Sequence, residues 1–135
     1  MREIFEKTIR ELFSKVEIPS RSYSKPSRLI QKKELAAIVT YFNPSKSHER
    51  QKNYCRFVSG FKTYADRVPL LTVEAAIGKD SFEITPDRNV IQIRARDWLW
   101  HKESLINIGA RRLISEGFKN IAWVDADIEF TDPYW

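Results

Sequence analysis

The sequence predicts an α/β fold: a mostly parallel sheet flanked by helices, preceded by an amphipathic helix. Three observations predict it. Strand-like apolar runs alternate with helical stripes in the order β-α-β-β-α-β, and helices of this length between strands argue for a parallel sheet covered on its faces. The chain has 135 residues, enough for one compact domain, and is 42% hydrophobic and 30% charged, as a packed globular protein requires. Residues that stop strands and helices also stand where that order needs them.

Residues 3–17 place Ile4, Phe5, Ile9, Leu12, Phe13 and Val16 at helical spacing with charges between them. The Ser/Pro-rich IPSRSYSKPSR that follows reads as a linker, so residues 1–34 are expected to be a helix and linker, loosely packed on or appended to a core beginning at residue 35. LAAIVTYF, residues 35–42, is the first strand. Asn43-Pro44 ends it, because proline pushes the residue before it away from helix. Ser45 or Ser47 then caps a helix whose apolar face is Tyr54, Phe57, Val58 and Phe61. VPLLTVEAA, residues 68–76, is the second strand, and residues 89–94, NVIQIR, the third. Residues 98–115 form the second helix, striped by Leu105, Ile108 and Leu113, and Gly117 ends it in the left-handed manner. Residues 119–124 form the fourth strand.

Such sheets bind ligands beyond the carboxyl ends of their strands. The residues to examine are therefore Tyr41 to Pro44, Glu74 and the acids of IAWVDADIEF, namely Asp125, Asp127 and Glu129. Positions i and i+2 of an extended chain share a face, so Asp125 and Asp127 would present two carboxylates together. A hard divalent cation relieves their repulsion, and Mg²⁺ is held by one or two carboxylates plus substrate phosphates. A bare D-x-D is also what a solvated or salt-bridged strand end looks like.

Other chemistries lack their motifs. There is no G-x-G-x-x-G, no phosphate-binding G-x-x-x-x-G-K-[ST] and no G-x-S-x-G. One Cys and two His cannot build a structural zinc site. His101 with Glu103 reads as a helix start, Cys55 as a small core residue, and Trp98, Trp100 and Trp123 as core. No apolar run approaches the roughly 20 residues of a membrane span, and the N-terminus is not laid out as a signal peptide. The lone Cys55 points to a reducing, cytoplasmic setting. Residues 1–67 hold 15 Lys+Arg against 7 Asp+Glu, and residues 68–135 hold 8 against 11. The basic half suits an anionic partner, but shows no nucleic-acid-binding motif.

The helix Trp100, Lys102, Glu103, Asn107, followed by a strand running from Trp123 through Asp125 and Asp127 to Phe130, resembles the nucleotide-sugar half of GT-A glycosyltransferases. AAIVTYFNP looks like the first strand of that Rossmann-like fold and TVEAAIG like its second, so the likeness covers about residues 36–135. The resemblance implies Mn²⁺ or Mg²⁺ at Asp127, with Asp125 facing the ribose or the metal's water shell. It implies Tyr41 and Asn43 in the nucleoside pocket, Glu74 at the base or ribose, and Lys102 and Asn107 reaching the nucleotide or supporting its loop. Glu129 is expected to be structural. The implied partner is a UDP- or GDP-sugar, whose glycosyl group passes to an acceptor hydroxyl while the metal stabilises the departing diphosphate. The likeness stops soon after the acids, so the acceptor half is missing and the chain is expected to be incomplete for catalysis alone: a fragment, a remnant, or a module completed by a partner chain. The alternatives are a nucleotide-binding or interaction module without turnover, a basic nucleic-acid-binding protein, and a metal-dependent phosphoesterase.

Overall fold

The computed structural model describes residues 33–65 and 67–131. The expected N-terminal helix and nearly all of the linker lie outside them. Six elements follow: β1 (Leu35–Phe42), α1 (His48–Tyr64), β2 (Leu70–Ile77), β3 (Val90–Ala95), α2 (Lys102–Ser115) and β4 (Asn120–Val124). The strands form one four-stranded sheet in the order β3-β2-β1-β4, with every neighbouring pair parallel. This is the α/β character expected. Among the described residues no helix is long and apolar enough to cross a membrane.

β1 is central, and the run LAAIVTYF is apolar on both faces because both are covered. On one face Ala37, Val39 and Tyr41 pack against Tyr54, Phe57 and Phe61 of α1. The alternate residue Ile38 points the other way. There α2 lies so close that a Cβ on Gly109 would stand 3.0 Å from a Val73 methyl and 3.1 Å from two Ile38 carbons. Glycine at that point lets the helix settle onto the sheet. Gly117, at φ 93°, takes the left-handed conformation that ends α2.

Three expectations need correction. Residues 98–101 are not helical: the Asp97 carboxylate accepts the Leu99 N–H at 3.1 Å, turning the chain, and α2 begins only after His101. Trp98, Trp100 and Trp123 are not core; they are 67%, 69% and 55% exposed, the first two in that bend and the third on edge strand β4. Cys55 is likewise exposed, on the side of α1 away from the sheet-facing Tyr54, Phe57 and Phe61.

Candidate functional site at the carboxyl ends of β1 and β4

The chain runs outward from β1 to β2 and β3, then returns to place β4 on the other side of β1. The carboxyl ends of β1 and β4 thus lie side by side with a crevice beyond them, the place where open parallel sheets hold ligands. A cleft of about 410 Å³ lies there. Its walls are the end of β1 (Thr40 to Phe42), the first turns of α1 (Ser47, Arg50, Asn53), the start of α2 (Trp100 to Lys102) and the turn after β4 (Asp125 to Asp127).

Each wall has a local cause. The Asn43-Pro44 break sends the chain from β1 into α1. Asn43 Oδ1 accepts the Ser47 N–H at 2.9 Å, its Nδ2 donates to the Ser47 carbonyl at 3.1 Å, and Ser47 Oγ then caps the helix. Arg50 donates to the Phe42 carbonyl, which holds its guanidinium at the cleft. At α2 the cap position is His101, whose side chain makes no capping bond. Its ring instead meets Phe42 edge-on at 5.4 Å and lies 3.2 Å from the Asp97 carboxylate, tying the helix start to the end of β1. Among the described residues no side chain accepts a first-turn N–H of α2.

The two acids do not sit on one extended strand. β4 ends at Val124 and the chain turns at Ala126 and Asp127. Asp125 forms an ion pair with Lys102 Nζ, and that ammonium also lies 4.8 Å from the centre of the Trp123 ring. Asp127 is exposed on the cleft wall. Phe130 brings the chain back: it is buried against Phe57 and Phe61 of α1, with ring centres 5.8 and 5.6 Å away.

Of the residues expected to hold nucleotide or metal, Tyr41, Lys102, Asp125 and Asp127 line the cleft. Asn43 and Glu74 lie beside it, engaged with the protein itself. Glu74, 1% exposed, accepts the N–H groups of Glu83 and Ile84 and the Gln92 amide at 2.9 Å, which fastens the loop after β2 to the sheet. Tyr41 donates to Glu83, which Asn43 also reaches at 3.0 Å and Lys46 at 3.1 Å. Burial, and then the bond to Glu83, push the Tyr41 phenol well above its ordinary range, so it stays neutral. Burial works against ionisation of Glu83, but the bonds from Tyr41, Asn43 and Lys46 outweigh it and hold that carboxyl below its usual value. Asn107 is exposed on α2 and Glu129 is exposed beyond β4; neither lines the cleft.

Sequence reasoning missed Arg50 and Asn53. Their signal was position: at i+3 and i+6 from the cap Ser47, they stand on one side of the start of α1. Among the described residues no three His, Cys, Asp or Glu side chains converge as a ready-made metal site. Comparison with protein-family models, with curated proteins and with solved structures finds no match for this chain.

Proposed function

We propose that the chain binds a nucleoside-diphosphate sugar together with a divalent cation in the cleft between β1 and β4, as the donor-binding part of a Rossmann-like, GT-A type glycosyltransferase. One observation carries this reading. At the point where the strand order reverses, two carboxylates, two basic side chains and an α2 start with no side-chain cap share one cleft. A diphosphate needs cationic and N–H partners, and a hard cation bridging it to protein needs carboxylate oxygens.

The donor set fits such a cation. Asp125 and Asp127 offer hard oxygen ligands, in the number that Mg²⁺ or Mn²⁺ shares with substrate phosphates. When bound, the cation would neutralise charge on the departing diphosphate. Lys102 and Arg50 serve the phosphates, and Tyr41 forms a neutral wall of the nucleoside side. Asn43 and Glu74 act at one remove, by shaping the β1–α1 turn and the loop after β2. Asn107, exposed on α2 and away from the cleft, takes no part in this scheme.

A binding module without turnover is the second reading. Both cleft carboxylates are committed to the cation in this scheme. That leaves His101, beside Asp97, as the one remaining carboxyl or imidazole on the described cleft wall. Turnover that depends on an added acceptor separates the two readings.

Asp127→Ala tests the site. Because Asp127 is exposed, stability should change by no more than about 0.5 kcal/mol. Metal-dependent nucleotide binding should be lost. A variant that binds nucleotide and metal as the parent does would refute the assignment.

A further inference from the structure

We infer that Lys102 is a resident counter-ion of Asp125, displaced when a metal–diphosphate complex enters the cleft as a unit and resistant to displacement by the bare cation. The inference rests on the binding reading above and specifies what the site accepts.

Lys102 is the first residue of α2. An ammonium there faces the positive end of the helix dipole, an unfavourable place for a cation. Two partners from the end of β4 hold it nonetheless: the Asp125 carboxylate, and the face of the Trp123 ring at 4.8 Å. The ammonium thus takes up the carboxylate that a metal would need. The pair is also displaceable. The Lys102 side chain is 24% exposed and that of Asp125 45%, so solvent screens the attraction in a way it could not for a fully buried pair. A four-carbon stem lets the ammonium swing within the cleft that both residues line.

A bare cation arriving at Asp125 must evict Lys102 and leave it beside the helix dipole with only the Trp123 ring. A cation arriving with a diphosphate supplies phosphate oxygens to receive the ammonium. Metal and diphosphate therefore reinforce each other's binding through Lys102, and the coupling is reciprocal.

The test measures Mn²⁺ binding by the loss of the free-ion paramagnetic resonance signal, for the full chain, alone and with UDP, each read against the same mixture without protein because UDP itself binds Mn²⁺. The parent should bind Mn²⁺ weakly alone and markedly more tightly with UDP. Lys102→Met should bind Mn²⁺ alone roughly two- to fivefold more tightly than the parent, the size of a partly screened ion pair. Its gain on adding UDP should shrink by a similar factor. Lys102→Arg, which keeps the cation, should keep the parental pattern, and Lys102→Gln repeats the test should the Met variant fail to fold. If the parent takes up Mn²⁺ with UDP but neither neutral variant binds Mn²⁺ alone more tightly, the counter-ion role is overturned while the site stands. If the parent takes up no Mn²⁺ with UDP, the site itself falls and the role of Lys102 with it.

Discussion

Replacing Glu74 by Ala would leave the N–H groups of Glu83 and Ile84 and the Gln92 amide without their shared acceptor in a buried place. The expected cost is about 2–4 kcal/mol, read from urea unfolding. Glu74→Gln should also destabilise, because its amide turns a donor toward donors. Glu83 makes a different prediction. Its carboxyl titrates below the ordinary 4.5 in the folded chain because Tyr41, Asn43 and Lys46 favour the charged form. A native value below the unfolded one means that the stabilisation is fully present above about pH 4.5. It is lost as pH falls below that, through the lowered native value. Melting temperature measured from pH 6 to pH 3 should fall less steeply for Glu83→Gln than for the parent; parallel curves would contradict the role given to Glu83. At this scale the sequence was partly legible. Glu74 stood out as a charge at a strand end, which is equally the signature of a ligand contact and of a loop fastener. Only its neighbours Glu83, Ile84 and Gln92, between 9 and 18 positions away in the chain, decide between them.

The elements were more legible than their ends. The spacing of Tyr54, Phe57, Val58 and Phe61 marks the face that α1 turns to the sheet, and Ser47 is the cap. Both signals are local, and local signals survive in one sequence. The start of α2 was misplaced because Trp98-Leu99-Trp100 continues the apolar pattern, whereas the turn bond from Asp97 overrides it. The segment after β4 was misread as extended for a related reason. Alternating acids look like a strand, but Phe130 has a better partner in α1 than in the sheet. Phe130 is therefore the anchor of the Asp125–Asp127 turn. Phe130→Ala should cost about 3–5 kcal/mol in denaturant unfolding, as buried Phe truncations do. The milder Phe130→Leu should remain folded and weaken metal-dependent nucleotide binding by loosening the turn. Unchanged binding in the Leu variant would show that the turn is held by other means.

For the molecule as a whole, a parallel sheet follows from strands that alternate with helices, because parallel neighbours need crossovers. What the pattern could not reveal was the lateral order. β4 lies beside β1 because its residues Ile121 to Val124 pair with Ala36 to Val39, and pairing between segments so far apart leaves no mark on local periodicity. That order nevertheless creates the cleft: it brings the starts of α1 and α2 and the acids after β4 to one crevice. We propose that this crevice takes a nucleoside diphosphate with a divalent cation. Calorimetric titration of the purified, folded chain with UDP and with GDP, each with and without Mn²⁺, tests it most directly. Saturable binding of at least one nucleotide only when Mn²⁺ is present is the predicted result; no binding of either nucleotide, with or without the metal, would contradict it.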